Sequence, residues 1–250
     1  MKHWKRWWSV VFYAMAMAWV ESAVAYYLRT MMDHIDPYHP YPLHLVKGIS
    51  HAELVREVAT MVMLLMVGWL SAANWRSRLA YSLLAFGVWD IFYYIFLKVM
   101  CGWPHSIFNW DLLFLIPLPW WGPVLAPCCI AMLMILGGTL VTQFSRSGAR
   151  LWPGGRAWII CFGGAAVALY VFMTDAIRVV PQGSEAVRNV LPKSFNWLLF
   201  SGALALMAAP VLELAHKAWK LKLFKWRKRE EVVKGGLAGV SVKWSDEALN

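Results

Sequence analysis

Charged residues are scarce in this chain, and that scarcity sets the class of protein. Asp, Glu, Lys and Arg make up 15% of its 250 residues, against roughly a quarter in a soluble domain. One or two water-exposed domains of this length would need more. Cysteine is scarce too. Four residues are too few and too unevenly placed for a disulfide framework. Cys128 and Cys129 adjoin, Cys161 sits inside an apolar block, and only Cys101 lies near a block's edge. They read as small, soft packing residues.

Motifs are missing as well. The chain has no Gly-x-Ser-x-Gly, no His-Glu-x-x-His, no phosphate loop and no dinucleotide fingerprint. No apolar block carries a central histidine, which excludes paired axial haem ligation within the membrane. No internal repeat is evident, so the signature of inverted-repeat transporters is absent. No motif assigns a cofactor.

Apolar side chains are what the sequence has in quantity, at 60% of the total. They cluster in six blocks, at about Trp7–Leu28, Leu54–Ala73, Leu79–Met100, Trp120–Val141, Ala157–Met173 and Trp197–Ala215. A block of about 20 apolar residues is long enough for a helix to cross ~30 Å of hydrocarbon. Backbone groups in lipid must pair within their own segment, so each block is predicted to be a helix. The expected fold is all-α: a polytopic membrane bundle of about six transmembrane helices over residues 1–216, followed by a basic tail over 217–250. Between the third and fourth blocks, Phe108 to Pro119 is apolar but short and interrupted by Pro117, Pro119 and Pro123. It is expected to form an interfacial or re-entrant helix feeding the fourth span.

Lysine and arginine set the orientation. With the amino terminus inside, the inner segments hold Lys2, Lys5, Arg6, Arg76, Arg78, Arg146, Arg150, Arg156 and nine residues of the tail from Lys217 to Lys243. The outer side holds only Arg29, Lys47, Arg56, Lys98, Arg178, Arg188 and Lys193. This is the positive-inside pattern, with both termini cytoplasmic and a bacterial inner membrane as the setting. The net charge of +10 therefore points to lipid headgroups rather than nucleic acid, because so much of it follows the last apolar block. A rival reading takes residues 2–25 as a signal peptide ending at Ala23-Val24-Ala25. Glu21 and the bulky Tyr26-Tyr27 at that site oppose it.

The acidic residues carry the functional signal. A charge at mid-membrane costs roughly 2.5 kcal/mol or more, so those present should face the bundle interior. Counting 1.5 Å per residue places Glu21, Glu57, Asp90 and Asp111 together in the outer half of the membrane. Asp90, Tyr94 and Lys98 follow at i, i+4 and i+8, the spacing of one helix face. Glu21, Glu57, Asp90, Tyr94, Lys98 and Asp111 are thus the candidate substrate- or ion-binding residues. The simpler alternative is that each acid pairs with an Arg or Lys to lock helices together. Pairing is the favoured reading for the interfacial Glu57, Asp111 and Asp175. For the deeper Glu21 and Asp90 the two readings stand level.

Histidine offers a weaker signal. His34, His39, His44, His51 and His105 fall in outer loops and are candidate metal ligands. Their spacing matches no compact metal motif, and the intervening prolines favour extended chain. Glu213 and His216 form Glu-x-x-His without the second copy that a di-metal bundle needs, and Glu213 is expected to pair with Lys217 at i+4. Ala14, Ala18, Gly163, Gly164, Ser201 and Ala205 are small enough to let helices approach closely.

Three functions are compatible with this pattern. The first is binding or transport of a cation, proton or small polar-headed substrate. The second is a membrane-embedded enzyme, metal-dependent or not, acting on a lipid or prenyl substrate. The third is an accessory subunit of a larger membrane complex. The orientation is directly testable by fusing reporters beyond Leu221. A fluorescent protein that matures only in the cytoplasm should glow there and alkaline phosphatase should be inactive; the opposite pair of results would reverse the topology.

Overall fold

A computed structural model describes residues 2–31, 36–38, 47–115, 117–144 and 151–221. Its helices are α1 (Lys2–Met31), α2 (Lys47–Ser71), α3 (Trp75–Cys101), α4 (Leu125–Phe144), α5 (Gly155–Val179), α6 (Ser184–Arg188) and α7 (Trp197–Met207). After a turn at Ala208 the last of these continues as helix over residues 209–221. Among the described residues, six helices are long and apolar enough to cross a membrane: α1 to α5 and the segment Trp197–Leu221. Their outward surfaces suit lipid. Leu70 is 85% exposed and Leu198 88% exposed, which would be untenable for large apolar side chains arrayed in such numbers against water.

Local sequence explains where the helices start and stop. α1 contains neither Pro nor Gly, so nothing interrupts its 30 residues. α3 starts where the Asn74 side chain accepts the Ser77 N–H at 2.9 Å, satisfying one orphan donor of the first turn. It stops at Gly102, whose φ of 76° is a left-handed conformation that only glycine adopts freely. The Asn196 side chain likewise accepts the Leu199 N–H at 3.0 Å to start α7.

α3 is the central helix and packs against α1, α2 and α4, while α5 packs on α7. Ala14 and Ala18 are fully buried on α1, and from the next turn Ser22 Oγ donates to Tyr93 O of α3 at 3.0 Å. The short link from Ser71 to Trp75 folds α2 back beside α3, where Ser82 Oγ donates to Leu65 O at 3.2 Å. Glycine sets several close crossings, those at Gly138 and Gly164 among them. A Cβ on Gly138 of α4 would stand 2.5 Å from Ala80 O of α3, and one on Gly164 of α5 would stand 2.6 Å from Ala203 O of α7. Of the small residues expected at helix contacts, Ala14, Ala18 and Gly164 are there. Gly163, Ser201 and Ala205 instead lie on exposed surface, because Gly163 is turned about 100° from Gly164, and Ser201 and Ala205 about 160° from Ala203.

The segment before α4 is not the expected helix. It is an antiparallel hairpin of β1 (Trp110–Phe114) and β2 (Trp120–Pro123), pairing Asp111 with Gly122 and Leu112 with Trp121. The prolines account for this, since Pro117, Pro119 and Pro123 cannot donate to a helical ladder. The flanking Trp, Leu and Phe favour a pleated, half-buried surface. The hairpin is held at its base by Val124 N to Asn109 O at 3.0 Å and Leu125 N to Ile107 O at 2.8 Å. β2 lies against α5, with Gly122 beside the ring of Phe172. Replacing Gly138 by Leu should push α3 from α4 and destabilise the protein by about 1–3 kcal/mol. Gly163→Leu, where a Cβ meets nothing within 4 Å, should leave the melting temperature unchanged; equal melting of the two variants would contradict the packing.

Candidate functional site

Four acids from four different elements line one cavity of about 370 Å³: Glu21 of α1, Glu57 of α2, Asp90 of α3 and Asp111 of β1. They meet because α1 and α3 end, and α2 and α4 begin, at the same level of the bundle, and the hairpin folds down between them. Tyr94 also lines the cavity, one turn beyond Asp90 on α3. Lys98 does not; its Nζ donates to Gly102 O at 2.8 Å, capping the end of its own helix. Two turns at 3.6 residues each fall short of eight residues, so Lys98 is rotated away from Asp90, and its long stem reaches the free carbonyls instead.

Two arginines neutralise part of this acidity. Arg29 Nη2 lies 3.0 Å from Asp111 Oδ1, with its guanidinium 4.2 Å from the ring centre of the buried Trp103. Asp111, only 2% exposed, also takes a hydrogen bond from Tyr94 and one from the Leu112 amide. Burial raises its carboxyl above the ordinary aspartate range, and Arg29 with these donors pulls it back. Arg56 of α2 bridges two acids, pairing with Glu21 of α1 and, at 2.6 Å, with Glu53 one turn earlier on its own helix. The hydroxyl of Thr60 donates to the other oxygen of Glu21, which is 6% exposed. Glu21 is thus a helix-locking residue as well as a cavity wall.

Glu57 and Asp90 are matched differently. Glu57 Oε2 accepts the Leu115 N–H at 3.3 Å, which ties the far end of β1 to α2. Asp90 Oδ2 is buried and has no hydrogen-bond partner among the described residues. The same holds for Nε1 of Trp89 and Trp120, and both tryptophans line the cavity. Three polar atoms of wall residues therefore lack a partner among the described residues, where natively more than nine in ten buried polar groups find partners.

Sequence reasoning left out several wall residues. Arg56, counted from the sequence among the outer-side basic residues, couples α1 to α2. Thr60 stands at i+4 from Arg56, a spacing that would have found it. Trp89 and Tyr93 flank Asp90 and Tyr94 on α3, and Trp120 arrives on β2, which the expected helix would have turned elsewhere.

The remaining candidates are placed as follows. His34, His39, His44 and the side chain of His51 lie outside the described residues, as does the tail beyond Leu221. His105 is exposed in the loop after α3. Among the described residues no three His, Cys, Asp or Glu side chains are grouped to hold a metal ion. Asp175 pairs with Arg178 at 3.2 Å. At the opposite end of the bundle Glu213 pairs with Lys217 at 2.6 Å and accepts the Gly154 N–H at 3.0 Å, fastening the start of α5.

No protein family, curated protein or solved structure matches the chain. Replacing Arg29 by Met should strand the Asp111 carboxylate and cost about 3–5 kcal/mol, the range for breaking a buried ion pair from one side. Adding Asp111→Asn to Arg29→Met should recover much of that loss in thermal melting; no recovery would mean that Arg29 acts through Trp103 alone.

Proposed function

We propose that this multi-pass membrane protein binds a cation, a proton or a small cation-headed molecule in its acidic cavity, entered from the outer face of a bacterial inner membrane with both termini cytoplasmic. One observation carries the reading: Asp90 lines the cavity and its Oδ2 has no partner among the described residues, while both nearby arginines are already committed to other acids. Five carboxylates, counting Glu53, share two guanidinium groups. In a low-dielectric setting the excess negative charge is unfavourable by several kcal/mol per group. It is relieved by protons when the cavity is empty and by a cation when it is filled. Binding a cation and releasing a proton are then two sides of one equilibrium, as required for moving either across a membrane.

Aromatic walls support the same reading. Trp89, Tyr93 and Trp120 line the same cavity as the carboxylates, and aromatic side chains beside acids suit an organic ammonium group better than a small hydrated metal ion. Glu57, Tyr94 and Asp111 are supporting groups, with Lys98 left outside the site.

Asp90→Asn and Glu57→Gln should each weaken binding of methylammonium at least about tenfold, roughly the 1.4 kcal/mol that one lost charge interaction is worth, while melting as the native protein does. Titration calorimetry on protein in lipid nanodiscs reads the affinity, and a pH dye reads the released proton. Native affinity in Asp90→Asn would end the proposal; unfolding of both variants would make these acids structural.

A further inference from the structure

The acidic cavity has an apolar neighbour. A second cavity of about 230 Å³ adjoins it, and Ile130, Met134 and Met207 stand in the walls of both. Three spans lead from the first to the second in the same direction. On α4 the walls run from Pro127 beside the acids to Val141 in the second cavity, roughly 21 Å at 1.5 Å per residue. On α3 they run back from Asp90 to Ala80, and on the last span from Met207 to Leu214. No charged side chain lines the second cavity. At its rim stands Phe162, 65% exposed on the lipid-facing side of α5, so the space opens sideways to the bilayer.

The two cavities therefore lie end to end with the flexible side chains of Ile130, Met134 and Met207 between them, acidic and hydrogen-bonding at one end and hydrocarbon-like at the other. Asp90, Trp89 and Trp120 line the polar end, and the Asp90 Oδ2 and the two indole N–H groups have no partner among the described residues. A protonated amine satisfies the first, and an oxygen atom close to that amine satisfies the others. The apolar end offers nothing to a polar group and a dry surface to an alkyl chain.

We propose that the ligand of this site is a single-chain amphiphile with a protonated amine beside a hydroxyl or ether oxygen, its tail lying in the apolar cavity after lateral entry past Phe162. This rests on the reading of the acidic cavity as a cation site and adds the tail. A site of this kind takes its ligand from the membrane rather than from water, and the tail supplies affinity that a small ammonium ion lacks.

The test uses the full chain in phosphatidylcholine nanodiscs. The probe is a long-chain 2-amino alcohol carrying a diazirine near its tail end; the matching diol, with no amine, is the control. After photolysis the amine probe should label peptides covering residues 133–141 and 207–214. Labelling should fall at least about tenfold in Asp90→Asn and also in Ala165→Leu or Gly137→Leu, two independent ways of filling the apolar cavity. The two filling variants should keep native methylammonium affinity. Methylammonium binding together with tail labelling spread evenly over the lipid-facing helices would overturn the tail and leave the cation site standing. Equal labelling by the diol, unaffected by Asp90→Asn, would reduce the second cavity to a lipid-filled crevice and overturn the inference. Absence of both methylammonium binding and local labelling would overturn the inference and the cation reading together.

Discussion

Buried charge organises this protein. Arg56 holds Glu21 of α1 and Glu53 of α2 at once, and Arg29 of α1 holds Asp111 of the hairpin. In hydrocarbon neither an arginine nor a carboxylate is tolerable alone, so each pair requires its elements to lie side by side. The pairs thereby fix the relative heights of α1, α2 and β1 in a way that apolar packing does not. Apolar surfaces between helices in lipid have little preference for register, since lipid tails are as apolar as Leu. Once two arginines are consumed in this work, the remaining acids are in excess. The surplus is a consequence of the same constraint that assembles the site.

The hairpin is the second element on which the site depends. Irregular chain is tolerated at membrane depth only where its backbone groups are paired or buried in protein. β1 and β2 pair with each other, and the open edge near Leu115 is closed by Glu57. An acid that lines the cavity thus also completes the backbone of the segment that walls it. The arrangement brings Asp111 and Trp120 into the bundle without a seventh span.

Much of this was legible in residue spacing, and the failures are informative. Six spans follow from apolar block length alone, and the common depth of Glu21, Glu57, Asp90 and Asp111 follows from 1.5 Å per residue. Depth is one coordinate; rotation about the helix is another. Asp90 and Tyr94 share a face, but extending that face to Lys98 accumulates the difference between 7.2 and 8 residues, and the helix end captures the lysine. The hairpin was missed because a short apolar run reads equally as helix or strand. The three prolines forbid a regular helix, while a membrane setting favours one. What decides for strands is that two short segments can satisfy each other's backbone, a non-local fact with no signature in either.

The division of labour among the acids follows from what each is bonded to. Glu21 and Asp111 have several donors each, including an arginine, so their negative charge is stabilised and their positions are set. Among the described residues Glu57 has one backbone donor, and Asp90 Oδ2 has none. Along this series fewer donors meet the carboxylate, and the gain from bringing a cation becomes steadily larger. A site built this way separates structure from function within one cluster: the well-bonded acids hold the cavity open, and the poorly bonded ones confer the affinity. The indole N–H groups of Trp89 and Trp120 belong to the second set, since an apolar ring in their place would pack as well without leaving a donor unpaired. Donors and an acceptor that lack partners among the described residues, carried by residues of one cavity wall in a medium that penalises both, are groups that a polar ligand in that cavity would satisfy.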